Sequence, residues 1–494
     1  MAVTVATGYG KIAGKEEGGV LTFQGIPFAA PPIGDRRWLP PQPPQPWSDT
    51  LPTVAFSASA MQNPLPSQIG ELIGIATGEI SEDCLYLNVW TPAIDSKSRP
   101  VMVWIHGGGN TVGSASQPRF NGAHLAREGD VVIVTVNYRL GAFGFLHLPE
   151  LGASGNEALL DQVAALQWVR QEIEQFGGEA GNITVFGQSA GGFDIAELMA
   201  LPAAAGCFDK AIPMSGSITK QVSAEEAMRT AQYFIEEFGA LDALRTVPAH
   251  SILDFQQRLM TERAADGVRF GPVRDGSVIC QDAATGIGNG TWCRDMPLLI
   301  GTTQNEATLF TIFNPSYENL DDEGLEKRAA GILGDRVKEA ISRYRQMLGR
   351  DLPVTDSVDL MAAMSTDRMF RMPAIRTAEL HSSHTPQTWM YLFDYPSPAE
   401  SGKLKACHSL DIPFIFGTCG SDSMRPFCGV GTEVDKLSKV MMSTYIAFAG
   451  NSDPGNDLLP DWPRYHVDRR ATMRLGLDCR IEDAPLDDVR ELWS

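Results

Sequence analysis

The five residues Gly187-Gln188-Ser189-Ala190-Gly191 set a serine between two glycines at a spacing that suits a nucleophile. They follow the apolar run 183–186 directly, and a helix-like run, 195–201, comes next. A strand that passes into a helix through so tight a turn has room only for small residues two positions either side of the serine. The turn would lift the hydroxyl above the strand, within reach of a base. The helix N-terminus behind it would place positive dipole near developing negative charge. The plain alternative is a glycine-rich turn holding an inert serine.

A second glycine cluster, His106-Gly107-Gly108-Gly109, ends the apolar run 101–105. Such a loop could cradle phosphate, but that use requires Lys-Ser or Lys-Thr next, and Asn110-Thr111 follows. Paired with the serine turn, it reads as an oxyanion loop. The backbone N–H groups of Gly108, Gly109 and Ala190 are its expected donors, and losing one such donor costs ~3 kcal/mol in acyl transfer. His106 could be a base, but its expected part is to brace the loop. Ser215, in Met214-Ser215-Gly216, follows the next apolar run. It reads either as a support behind the reacting groups or as a buried structural serine.

Strands that alternate with helices must position these residues. Strand-like runs lie at 85–90, 101–105, 131–137, 183–186, 297–301 and 388–393; helical spacing covers 156–176 and includes 441–448. This predicts an α/β fold with a mostly parallel central sheet flanked by helices. The span 314–380 is helical and charged, and is expected to be an insertion over the end of the sheet. With no break in composition, residues 1–494 read as one domain. Prolines crowd residues 27–46, but Ile26, Phe28, Ile33, Trp38 and Trp47 interleave with them. That predicts a stiff segment pinned on a core.

The net charge of −20 argues against nucleic acid and anionic membranes as partners. No run approaches the ~20 apolar residues of a span, and residues 1–8 lack the pattern of a signal peptide. The eight cysteines show no CxxC pair and no zinc spacing. They are expected to be mostly reduced, in a cytoplasmic protein.

Further segments accompany the two motifs: Phe23-Gln24-Gly25-Ile26-Pro27-Phe28-Ala29, Ser81-Glu82-Asp83-Cys84-Leu85-Tyr86-Leu87-Asn88-Val89, Asn137-Tyr138-Arg139-Leu140-Gly141-Ala142-Phe143-Gly144-Phe145, Asp161-Gln162, Phe176-Gly177-Gly178 and Trp462-Pro463-Arg464-Tyr465. Together they resemble the type-B carboxylesterases, the family of cholinesterases and bacterial p-nitrobenzyl esterases, almost end to end. The resemblance implies an α/β-hydrolase fold, ester hydrolysis and a glutamate as catalytic acid. The fold's chain order puts the base after the acid, which leaves several of the eight histidines open. The resemblance selects His408, in Cys407-His408-Ser409-Leu410-Asp411, and Glu306, in Gly301-Thr302-Thr303-Gln304-Asn305-Glu306. Asp394 and Asp411 are the rival acids.

Many members of that family carry a cysteine that pairs with the one at Cys84; this chain has Ala60 at the place. Many carry glutamate before the nucleophile, where Gln188 stands, and an aromatic residue after the glycine loop, where Asn110 stands. The expected reaction is hydrolysis of a small-molecule carboxylic ester through an acyl-enzyme on Ser189, with a Ser-His-Glu triad. It needs no metal or cofactor. Carbamate or amide cleavage at the same site, or a non-catalytic binding protein, are the alternatives. Oligomeric state and natural substrate are open.

Overall fold

The computed structural model describes residues 2–65, 67–75, 78–263, 266–349 and 356–493. Met1 and residues 350–355 of the expected helical span lie outside the described residues. The chain opens with antiparallel β1 (Ala2–Thr7), β2 (Gly10–Glu17) and β3 (Val20–Pro27). β4 (Tyr86–Thr91), β5 (Arg99–Ile105), β6 (Val132–Val136), β7 (Gly178–Gln188), β8 (Lys210–Met214), β9 (Leu298–Thr303) and β10 (Thr388–Phe393) follow. β11 (Ala471–Leu475) and β12 (Arg480–Asp483) end the main sheet, ordered β1-β2-β3-β4-β6-β5-β7-β8-β9-β10-β11-β12, with the two-residue strand Leu51–Pro52 also paired to β2. Every neighbouring pair from β6 to β11 is parallel. The N-terminal antiparallel strands were not foreseen as part of this sheet.

Alternation along the strands supplies both faces. Val101, Val103 and Ile105 of β5 join one hydrophobic core, and Met102 and Trp104 join the other. Helices α1 (Glu157–Glu172) and α2 (Ala190–Ala200) cover the first face with Leu159, Val163, Leu166, Ile195 and Leu198. After β9 come α3 (Thr308–Ile312), α4 (Asp322–Leu333), α5 (Val337–Leu348), α6 (Ser357–Thr366) and α7 (Met372–Ser382). α4, α5 and α6 share a small core of their own with Val489 and Leu492 near the C-terminus. After β10, α8 (Asp411–Phe416) and α9 (Thr432–Asn451) pack on the second face through Phe414, Leu437, Met441 and Phe448. No helix among the described residues is long and apolar enough to cross a membrane.

The proline-rich segment is anchored as its aromatic residues suggest: Trp38 is fully buried and its indole N–H donates to the Ala142 carbonyl (2.8 Å). Ile33 is the exception, 46% exposed on a short 3₁₀ approach. A buried ion pair ties the chain after β6 to α1. Arg139 Nε and Nη2 donate to Asp161 Oδ2 and Oδ1, each at 2.7 Å, and the Arg139 amide adds a bond of 3.1 Å. Removing one partner strands the other charge away from water. Asp161→Asn is therefore expected to lower stability by about 3–5 kcal/mol, measured as a fall in the urea midpoint at unchanged slope.

Candidate functional site

β7 stops at Gln188 and α2 starts at Ala190, so Ser189 alone makes the turn. Its φ of 57° and ψ of −123° lie outside the regions a side chain favours. Such strain costs about 1–3 kcal/mol and persists only where neighbours enforce it. Here the Ser189 amide donates to Met214 O of β8 (2.9 Å), and Ser189 O accepts from the Phe193 amide (2.8 Å). A Cβ on Gly191 would stand 2.1 Å from the Ile105 carbonyl oxygen of β5, so only glycine permits this close approach.

The glycine loop lies alongside. Gly108 has φ of +127°, and a Cβ there would meet Val112 O at 1.9 Å. Gln62 pins the loop's far end, accepting from the Gly113 amide (2.7 Å) and donating to Gly113 O (2.8 Å). Asn110 Nδ2 donates to buried Asp194, which also accepts from Gln162 (2.6 Å). His106 stacks on Tyr138 at 4.5 Å, and the Tyr138 hydroxyl donates to His106 O (2.6 Å). Burial holds the His106 imidazole down at about 4, so it is neutral. Ala190, as the first residue of α2, has an amide with no intrahelical acceptor.

The adjacent parallel strands β9 and β10 deliver the remaining pair. Glu306 is fully buried; its Oε1 accepts from the Thr303 amide (2.7 Å) and its Oε2 lies 2.5 Å from His408 Nδ1. Facing a carboxylate, Nδ1 carries the ring proton, which leaves Nε2 with the lone pair. Gln188 Nε2 stands 3.0 Å from that Nε2 and donates to it. Ser189 Oγ itself has no hydrogen-bond partner among the described residues. The amide next to the serine thus occupies the imidazole nitrogen that faces the site. The ring is flanked by Phe310 (5.2 Å) and Phe370 (4.9 Å).

Ser189, His408, Gln188, Gly108, Gly109 and Ala190 all line one cavity of about 470 Å³. The rival acids are engaged elsewhere. Asp394 accepts from Arg474 (2.8 Å). Asp411 is buried beside the Tyr391 hydroxyl (3.4 Å), and burial, then Glu306, pushes its carboxyl up to about 7. Ser215 has its amide on Gly301 O (2.8 Å), while its buried Oγ makes no hydrogen bond to Glu306 or to any other of the described residues. Sequence reasoning missed Gln62, Asp194, Phe310 and Phe370. The two phenylalanines sit in the helical stretch after β9, where the pattern marks them only as apolar.

Strand order, the turn at Ser189 and the triad-like chain order define an α/β-hydrolase architecture. The carboxylesterase family profile matches residues 2–493, and the chain belongs to that family, a family of carboxylic ester hydrolases. The chain is 38% identical over 495 residues to the para-nitrobenzyl esterase of Bacillus subtilis, covering 99% of this chain and 97% of the relative. It is 32% identical to the phenmedipham hydrolase of Pseudarthrobacter oxydans, over 94% of each chain. Among solved structures, a Geobacillus stearothermophilus carboxylesterase superposes with a TM-score of 0.89 at 36% identity, covering 99% of this chain and 100% of that one.

The glycine contact at the turn gives a direct test. Gly191→Ala forces a methyl into the Ile105 carbonyl and must shift the turn. Overpacking of this kind costs about 1–3 kcal/mol. The variant is expected to melt several degrees lower, and to lose esterase activity per folded molecule.

Proposed function

We propose that this esterase works through an acyl-enzyme on Ser189, with His408 as base and Glu306 as acid. The contact between Glu306 Oε2 and His408 Nδ1, 2.5 Å long on the wall of the cavity that holds Ser189, carries this reading. His408 Nε2 takes the serine proton as Oγ attacks the ester carbonyl, then gives it to the departing alcohol. Glu306 fixes the tautomer and stabilises the imidazolium. The amides of Gly108, Gly109 and Ala190 stabilise the oxyanion, where preorganised donors cost no rearrangement as charge develops. Water activated by the same imidazole then releases the acid. Gln188 has to leave Nε2 before the serine proton can reach it. His106 braces the glycine loop. The helical span 314–380 acts as an insertion over the site within one domain, contributing Met369 and Phe370 to its wall. Eight free cysteines suit a reducing compartment such as the cytoplasm.

Hydrolysis of p-nitrophenyl butyrate tests the assignment. Ser189→Ala should lower kcat by at least about 10⁴-fold with the fold intact. Glu306→Gln should lower it by at least ~100-fold, because the amide cannot stabilise the imidazolium. Asp394→Asn should have a far smaller effect; the reverse ranking would move the acid to Asp394.

Gln188 sets the resting state of the base. Its amide donates to the neutral imidazole, whereas a carboxylate there would favour the imidazolium and raise the histidine's pKa. Catalysis uses the neutral ring, so Gln188→Glu should move the acid limb of kcat/KM upward, by up to about one pH unit. A pH profile of both forms on a neutral ester checks this. An unmoved or lowered limb would contradict it.

A further inference from the structure

The cavity beside Ser189 is lined by Arg119, Lys220 and Arg269 and, among the described residues, by no aspartate or glutamate. This is unexpected in a chain of net charge −20. Arg119 is 3% exposed. Its Nε donates to Gln117 Oε1 (2.9 Å), its guanidinium lies 4.7 Å from the Phe120 ring, and its Nη1 has no hydrogen-bond partner among the described residues. Burial lowers its pKa to about 9, which still leaves it charged at neutral pH. The carboxyl that opposes it is Asp411, itself pushed up to about 7 and so only partly ionised. The wall therefore holds a cation with incomplete compensation.

Lys220 and Arg269 are exposed where they line the same cavity. Arg269 Nη2 is anchored on Gln221 O (3.0 Å), and Lys220 forms no ion pair among the described residues. Glu226 feels both cations, but its Oε2 is committed to capping its own helix, accepting from the Ser223 amide and hydroxyl at 2.8 Å each. Carboxyls behind the wall do not restore the balance. Burial pushes Asp194 up to about 7 and Glu197 up to about 8, favouring their neutral forms. A buried charge is screened less than an exposed one, and cations of one sign around a cleft concentrate anions in it.

We propose that this site prefers esters that carry a second, ionised carboxylate, such as half-esters of dicarboxylic acids, over neutral esters of similar size, and disfavours cationic ones. The proposal rests on the esterase reading of the cavity. Three substrates separate the two: 4-nitrophenyl hydrogen adipate, 4-nitrophenyl hexanoate and 4-nitrophenyl 6-(trimethylammonio)hexanoate. Each is assayed for kcat/KM, corrected for uncatalysed hydrolysis, at low and at high salt.

At low salt the anionic ester should exceed the neutral one by about tenfold or more, with the cationic ester slowest. The anionic-to-neutral ratio should fall as salt rises. It should fall further in the Lys220→Glu/Arg269→Glu double variant and in Arg119→Leu, whose unfolding midpoint is measured in parallel. If Arg119→Leu does not fold, the double variant decides. Equal rates on the three esters, or a preference that both sets of variants leave intact, would overturn the proposal while the esterase reading stands. No hydrolysis of any of the three would overturn both.

Discussion

The carbonyl oxygen of Ile105, at the end of β5, faces the turn that follows β7 so closely that residue 191 can only be glycine. That one approach brings the glycine loop and the serine turn together, because the loop grows directly out of β5 and the turn directly out of β7. The two strands are neighbours and parallel, so their C-terminal ends open on the same edge of the sheet. β9 and β10 end on that edge too, and from it His408 reaches the cavity with Glu306 held behind it. The parallel order from β5 to β10 is what lets residues 106, 189, 306 and 408 meet. The strain at Ser189 is sustained by this packing, through the Met214 carbonyl on one side and the glycines on the other.

Electrostatics then divides the buried acids by what surrounds them. Glu306 accepts from the Thr303 amide and lies against the His408 imidazole. Asp194, Glu197 and Asp411 are equally buried, but burial dominates in each and raises the pKa. Carboxyls that are partly neutral can satisfy local hydrogen bonds without adding full negative charge to the cavity. Gln188 works in the same direction, since its amide donates to the imidazole and adds no charge. The cavity is left with basic side chains and, among its described lining residues, no aspartate or glutamate.

Much of this was legible in the sequence because it rests on local rules. The strand at 388–393 is a mostly apolar run, buried throughout, and its bounds were read correctly. The glycine spacing around Ser189 encodes a steric demand that any strand-to-helix turn of this kind imposes. The hairpins of β1 to β3 were missed as part of the main sheet, since β3 joins it by antiparallel pairs far apart along the chain, such as Leu21 with Thr91. Phe310, Phe370 and Arg119 were invisible as cavity residues for a related reason: an apolar or basic residue in a loop or helix shows its face only once the chain is folded. The choice of His408 among the histidines, and of Glu306 over Asp394, came from resemblance, because spacing alone does not say which loops converge.

In the proposed reaction Ser189 is the group that attacks the ester carbonyl. An organophosphate ester reacts with an activated serine and leaves a stable phosphoryl adduct, which peptide mass spectrometry can locate. Incubation of the folded protein with about one equivalent should abolish hydrolysis and leave a single adduct on the peptide that carries Ser189, with none on the neighbouring strand's Ser215. Inactivation with the adduct on Ser215, or complete labelling of Ser189 that leaves hydrolysis unchanged, would rule out Ser189 as the nucleophile.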